Sequence, residues 1–203
     1  MFKYIGYAAS LGEENIYKTI DFTVENGMNA VEITMHAPED INLLQLHESV
    51  RKAGIERLKE VIQFGIDIGA SRITLHVGSA VCFTLVDRKS YMEEFYGEKY
   101  KQILRTSLQE LIHLAGDKIF ICVENSGRFP KIVVQEVLQE LLENDNLYLT
   151  WDIGHSYENK YNEVEFFIRN IDKVRTCHIH DNNGKSDHQI IGTGNLDFVK
   201  HFK

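Results

Sequence analysis

The sequence predicts an α/β fold with a parallel sheet and, within that class, a (β/α) barrel. Three observations carry that expectation. Short β-branched runs alternate with longer segments whose apolar residues recur every three or four positions. Glycine or proline punctuates the ends of those segments. The polar, chemistry-bearing residues gather at the C-terminal ends of several different candidate strands, where a barrel of this kind assembles its site. An open doubly wound sheet would carry a glycine-rich turn after its first strand, but ASLGEEN stands there instead.

In chain order, the candidate strands are Lys3–Ala8, Asn29–His36, Ser71–Val77, Lys118–Glu124, Leu147–Asp152 and Arg175–His180. Between them run the helical patterns. Ile16, Ile20 and Val24 stop at Gly27; Leu58, Ile62 and Ile66 stop at Gly69; Leu104, Leu108, Leu111 and Ala115 stop at Gly116. A glycine just past a helix supplies the left-handed residue that such an end favours. A fourth helix follows Pro130 with Val134, Val137, Leu138 and Leu141, and a fifth carries Val164, Phe167, Ile168 and Ile171. No linker-like tract or short-period repeat interrupts the pattern.

Composition narrows the function classes. The 203 residues are 43% hydrophobic and 26% charged, which excludes disordered and collagen-like chains. No apolar run reaches the roughly 18 residues of a membrane span, and MFKYIGYAAS lacks the basic-then-apolar build of a secretion signal. Cys82, Cys122 and Cys177 show no CxxC spacing, so neither a disulfide framework nor a cysteine zinc knuckle is indicated. Together these point to a cytoplasmic protein. The net charge is −8, from 30 acidic and 22 basic side chains. The densest basic stretch, Arg51 to Lys59, is interleaved with glutamates as a solvated helix face. That balance counts against DNA as a partner, because phosphate neutralisation drives such binding.

The strand ends concentrate metal-capable groups. The second offers Glu32, His36 and Asn42; the third, His76; the fourth, Glu124 and Asn125; the fifth, Asp152 and His155; the sixth, His178, His180, Asp181, Asp187 and His188. Side chains alternate faces along a strand. Glu32, Thr34 and His36 therefore share a face if that run stays extended, as do Cys122 with Glu124, Thr150 with Asp152, and His178 with His180. Taken singly, each is an ordinary loop or cap residue. Converging from five strands, imidazoles and carboxylates form the mixed N/O set that suits Zn²⁺, Mn²⁺ or a similar ion. His47, His113 and His201 stand in helical or terminal context and are set aside.

The phrases HAPEDINL, HVGS, VENSG, WDIGH and HIHDNNGKSDH…IGTGNLDF, in that order, resemble the xylose isomerase-like TIM-barrel superfamily. It holds sugar-phosphate isomerases and epimerases together with endonuclease IV (AP endonuclease family 2). The resemblance implies a TIM-type barrel holding one to three divalent ions. In the isomerase/epimerase branch Glu124, Asp152 and His178 match three ligands of a single ion, and Glu124 also moves a proton beside the substrate carbonyl. In the endonuclease IV branch His36, His76, Glu124, Asp152, His155, His178 and His188 match zinc ligands. The aspartate preceding the last histidine falls at Ser186 by strict spacing, with Asp187 one residue off. Glu32, Asn125, His180 and Asp181 are left as substrate-binding candidates, and Arg128 and Lys185 as candidates for a phosphate that solvated loop charge also explains.

The expected domain is one barrel over residues 1–203. It is shortened, with six recognisable strands of eight against about 250 residues for a complete barrel. The expected gaps are a helix and part of a strand near residues 32–36, and a last strand with its glutamate ligand. Exposed sheet edges then suit pairing into a homodimer. Three functions follow: a divalent-metal-dependent isomerase or epimerase of a sugar or sugar phosphate, an endonuclease IV-like zinc phosphodiesterase at abasic DNA sites, or a truncated barrel without turnover. The acidic balance and the GKSDHQIIGTGNLDF phrase place the first ahead.

Overall fold

A computed structural model of the chain describes residues 35–198 continuously, together with residues 6–8, 21, 24, 25, 27 and 30–32. The chain divides into two compact units, Met1–Met35 and His36–Lys203.

In the first unit, β1 (Gly6–Ala8) and β2 (Ala30–Glu32) pair in parallel, with Gly6 opposite Ala30 and Ala8 opposite Glu32. Parallel neighbours need a crossover. Residues 21, 24 and 25 within that crossover are helical. Gly27 closes it at φ 68, its N–H donating to the Val24 carbonyl at 3.0 Å. The Ile16 and Ile20 part of the expected helix lies outside the described residues, as do Thr34 and His201.

The second unit is built on a five-stranded sheet, which β3 (Met35–His36) edges at the boundary between the units. Its order is β3, β4 (Arg72–Leu75), β7 (Phe120–Glu124), β8 (Leu147–Asp152) and β9 (Val174–His178). The β4–β7, β7–β8 and β8–β9 pairings are all parallel. Between β4 and β7 stands a separate antiparallel hairpin of β5 (Cys82–Thr84) and β6 (Lys89–Tyr91). Ile73, Leu75, Ile121, Val123, Leu147 and Leu149 are wholly buried. Fully buried parallel strands read as continuous apolar runs, which is why these segments were recognisable.

Helices cover one face. α1 (Glu48–Asp67) buries Ile55, Leu58, Val61 and Ile62; α2 (Gly97–Ala115) buries Leu104, Leu108, Leu111 and Ala115; α3 (Ile132–Leu141) buries Val134, Val137 and Leu138. Gly69 at φ 74 and Gly116 at φ 53 follow the first two, as their patterns required. α2 packs against both α1 and α3. Exposed ion pairs lie over these seams, Lys59–Glu110 on one side and Arg105–Glu140 and Lys101–Glu136 on the other. Such pairs contribute about 0–1 kcal/mol each, so the apolar seam holds the layer. α4 (Ile153–Glu158) and α5 (Val164–Arg169) are short. Among the described residues, no helix is long and apolar enough to cross a membrane.

Four readings of the sequence change. The described residues of the run 29–36 fall in two strands, β2 pairing with β1 and β3 belonging to the larger sheet. The sixth strand ends at His178, so His180 lies on the loop beyond it. The fifth helix buries Phe166 and Phe167, while Ile168 and Ile171 face solvent. The hairpin was missed because three-residue strands such as CFT and KSY are too short to show a period.

Leu108→Ala should remove about 2–5 kcal/mol of unfolding free energy, whereas Val86→Ala, at a wholly exposed position, should change it by less than about 0.5 kcal/mol. Urea denaturation of both variants checks this; equal midpoints would mean α2 is not the packed centre of the helical layer.

Candidate metal centre

Parity along the sheet brings the functional side chains to one place. Thr74 pairs with Cys122 in register, and Thr74 Oγ1 reaches Thr150 Oγ1 at 2.9 Å, both buried. Two residues further along the same strands stand His76, Glu124 and Asp152, and His178 is the register partner of Asp152. β3 contributes His36.

Glu124 is the centre. Its side chain is buried, yet both oxygens are engaged by imidazoles from three different strands or strand ends. Oε2 lies 3.1 Å from His36 Nε2 and 2.9 Å from His76 Nε2; Oε1 lies 2.9 Å from His178 Nδ1 and 3.7 Å from His155 Nδ1. Burial pushes the Glu124 carboxyl up, but the bonds to His178, His36 and His76 outweigh it and hold the group well below the carboxylate range. The Glu124 hydrogen bond raises His36. Burial pulls His178 down, and Glu124 then carries it above the ordinary imidazole value.

Asp152 forms the second focus. Its Oδ2 lies 3.8 Å from His178 Nδ1, and its Oδ1 accepts the backbone N–H of His155 at 2.8 Å, capping α4. His180 Nε2 bonds the same carboxylate at 2.9–3.0 Å. His180 Nδ1 accepts the backbone N–H of His188 at 2.9 Å, so Nε2 carries the proton and the ring has no lone pair to offer an ion. His180 therefore orients Asp152. A third group stands above: His155 Nε2 is 3.8 Å from Asp187 Oδ2, and His188 Nδ1 is 3.2 Å from Asp187 Oδ1. Burial pushes Asp187 up, but His188 and His155 hold it below its usual value. Asp187, one residue off the position that strict spacing gives, thus lies between His155 and His188. Glu158, on the same turn of α4 as His155, is an addition that sequence reasoning missed.

Several candidates change role. Asn125 is wholly buried and clamps the backbone of Asp152, accepting its N–H at 2.6 Å and donating to its carbonyl at 2.8 Å. Asp181 is wholly buried, Oδ1 accepting the N–H groups of Asn182 and Leu196, Oδ2 those of Gly192 and Gly194. With their polar atoms so used, Asn125 and Asp181 build the site and do not face a substrate. Arg128 is neither a phosphate ligand nor solvated: it pairs with buried Glu93 and lies 3.5 Å over the Tyr91 ring. Asn42 donates to the Ser79 carbonyl at 2.6 Å and holds a loop. Glu32 ends β2 in the first unit. His47, the residue before α1, and His113 on α2 are exposed.

The donor set fits divalent ions on two observations. His36 Nδ1 lies 2.8 Å from the Ala37 carbonyl and donates to it, so Nε2 meets Glu124 lone pair to lone pair unless a proton or a cation lies between. His155 Nδ1 is buried without a hydrogen-bond partner while directed at Glu124 and Asp152. Three histidines cannot all be charged around one carboxylate without mutual repulsion. An ion held by these residues would take the place of the proton between His36 and Glu124. Two groups meet the spacing of a metal site and share Glu124: His36–His76–Glu124 and Glu124–Asp152–His178.

A parallel sheet whose strand ends converge polar side chains at one place is the arrangement of a (β/α) barrel. The sequence profile of the family described as Xylose isomerase-like TIM barrel matches residues 2–203, and the chain belongs to that family. It is 32% identical over 169 residues to Uncharacterized protein MJ1614 of Methanocaldococcus jannaschii, covering 81% of this chain and 62% of that protein. It is 27% identical over 189 residues to the Probable endonuclease 4 of Bacillus subtilis, covering 86% and 61%. The crystal structure of a D-tagatose 3-epimerase-like protein superposes with a TM-score of 0.67 at 26% identity, covering 97% of this chain and 74% of that one. The chain thus spans about three fifths of the length of these curated relatives.

Two outcomes follow from the supports. A methyl group at Gly154 would collide with the His180 ring, so Gly154→Ala should displace that ring, release Asp152 and weaken divalent-ion binding about 10- to 100-fold. Competition with a chelating dye reads this; unaltered affinity would remove His180 from the orienting role. Asp181 has its folded pKa lowered, burial raising it but four backbone donors prevailing. Its contribution is therefore present above the unfolded aspartate value and is lost as pH falls through the lower folded value. Asp181→Ala should flatten the acid limb of the stability–pH curve, and an unchanged limb would argue against this anchor.

Proposed function

We propose that the chain is a divalent-metal-dependent phosphate-ester hydrolase of the endonuclease IV type, in which two candidate ion sites would share Glu124. The observation that supports this reading is the engagement of both Glu124 oxygens by imidazoles of separate strands. A glutamate acting as the proton-moving base of an epimerase must turn one oxygen toward a substrate C–H. Here Oε2 faces two histidine nitrogens and Oε1 a third. His36 and His76 would hold one ion with Glu124, Asp152 and His178 a second, and His155, Asp187 and His188 a third. When bound, the ions supply Lewis acidity toward a phosphoryl oxygen and its leaving group. The chain's own residues do the rest. Glu124 would offset part of the positive charge of ions held beside it, His180 and Asn125 fix Asp152, and Asp181 anchors the loop after His180.

A second reading is the sugar or sugar-phosphate epimerase. It is favoured by the acidic balance, net charge −8, which disfavours a polyanionic strand. In it Glu124, Asp152 and His178 hold one ion, Zn²⁺ or Mn²⁺, and Glu124 exchanges a proton beside a carbonyl.

Metal analysis of the replete full chain separates the two. Two to three zinc ions per chain, with cleavage of an abasic-site duplex lost in Glu124→Gln, is the expected result. One ion per chain with deuterium exchange into a ketose would sink the hydrolase reading and install the epimerase.

A further inference from the structure

One buried carboxylate is not accounted for by the ion positions or by the supports already described. Glu163 immediately precedes α5 and is wholly buried. It stands where a capping residue would, yet its side chain makes no cap bond to that helix. It turns inward instead. Oε1 accepts the Asn125 Nδ2 group at 2.9 Å, the Ser156 hydroxyl at 2.9 Å and the Asn159 amide at 3.4 Å. Oε2 is buried without a hydrogen-bond partner. Glu163 belongs to no metal-capable group among the described residues. A carboxylate removed from water is costly unless its oxygens are bonded, and donors spread over both would offset that cost best. Here all of them gather on one oxygen, the one beside Asn125.

Asn125 carries that grip to the site. Its Nδ2 has two protons, and the nearest acceptors are the Asp152 carbonyl at 2.8 Å and Glu163 Oε1 at 2.9 Å. Its Oδ1 accepts the Asp152 N–H at 2.6 Å. Asn125 directly follows Glu124, so one amide ties the end of β7, which bears Glu124, to the end of β8, which bears Asp152. Turned over, that amide would set its oxygen against the Glu163 carboxylate; Glu163 therefore fixes which way it faces. Ser156 completes the arrangement, accepting the Trp151 indole N–H at 3.0 Å and donating to Glu163. The backbone is bent to bring Glu163 there. Between α4 and α5 stand two consecutive left-handed residues, Lys160 at φ 55 and Tyr161 at φ 61, and the Tyr161 N–H donates back to the Ser156 carbonyl at 2.8 Å. Non-glycine residues keep such conformations where the surrounding structure over-determines them.

We propose that Glu163 is a positioning residue. By holding the Asn125 amide it sets Asp152 against Glu124, and so sets the divalent-ion affinity of a site that its own carboxylate does not enter. Outer partners of this kind orient a ligand without touching the ion. The effect on affinity rests on Glu124, Asp152 and His178 holding an ion; the hold on Asp152 does not.

The test uses the full chain and two conservative variants. Glu163→Asp keeps the charge but withdraws the acceptor from Asn125 by one methylene. Glu163→Gln gives up the charge but keeps an acceptor oxygen at full reach. In the chelator-treated chain, NMR should show hydrogen exchange of the Asp152 amide about tenfold or more faster in Glu163→Asp, and within about threefold of the unmodified rate in Glu163→Gln. Competition with a chelating dye should show Zn²⁺ affinity about 10- to 100-fold weaker in Glu163→Asp and unchanged in Glu163→Gln. In an Asn125→Ala background Glu163→Asp should bring no further loss, because the link is already cut. Leu108→Ala, which loosens the helical layer, should leave the affinity as it is, so a general loss of stability is told apart from a loss of position. The proposal is overturned if Glu163→Asp leaves the exchange rate, or the affinity of a chain that binds Zn²⁺, unchanged. It is equally overturned if Glu163→Gln loses as much as Glu163→Asp, or if the losses add in the Asn125→Ala background. A chain that takes up no Zn²⁺, with exchange still faster in Glu163→Asp, removes the ion site and leaves the hold on Asp152 in place.

Discussion

The carboxylate of Glu124 is the constraint around which the second unit is organised. A buried carboxylate is costly to ionise unless charge-assisted bonds replace its water. Here the replacements come from His36 on β3, His76 just beyond β4 and His178 at the end of β9, all meeting a residue on β7. Each strand must therefore stand in a register that delivers its last inward-facing residue to one point. Sliding any strand by one residue would turn that side chain to the helical face. The chemistry and the sheet register are the same requirement seen twice.

A second tier of polar contacts turns that register into a fixed site. Asp152 is held from four directions: Asn125 grips its backbone on both sides, its side chain caps α4, and His180 bonds the same carboxylate. His180 is itself held by the His188 amide, at a residue whose φ of 52 places that N–H toward the ring. Asp181 then gathers four amides from the 182–196 loop. Polar networks so completely satisfied are rigid, and one half satisfied would cost more than an apolar core. The partnerless Nδ1 of His155 stands out against that background because almost every neighbour is accounted for.

How much of this was legible follows from which signals are local. The strands of the sheet announced themselves through buried β-branched runs, and their ends named His36, His76, Glu124, Asp152 and His178, because alternation along a strand is a property of the backbone alone. The roles of Asn125, His180 and Asp181 were not legible. All three have side chains that suit a substrate, and only loop geometry shows that backbone amides and neighbouring carboxylates already fill them. Arg128 illustrates the same limit, since its partner Glu93 lies 35 positions away on a segment with no recognisable period. Ile168 and Ile171 fail in the other direction: their spacing is helical, but α5 is too short to bury more than the face bearing Phe166 and Phe167.

Separating the ligands from their supports changes what the histidine count means. Of six imidazoles near the carboxylates, His180 has both nitrogens committed to protein partners and leaves the ion-binding set. The five that remain fall to Glu124, Asp152 and Asp187 in groups, with Glu124 belonging to two of them and His155 reaching between all three. A single ion would engage His178 and leave the nitrogens of His36 and His76 facing a carboxylate oxygen with only protons to mediate. His36, whose Nδ1 already donates to the Ala37 carbonyl, would then carry a positive charge, its ring centroid 4.7 Å from that of His76. Glu124, with one oxygen toward His36 and His76 and the other toward His178, is shared by two of these groups.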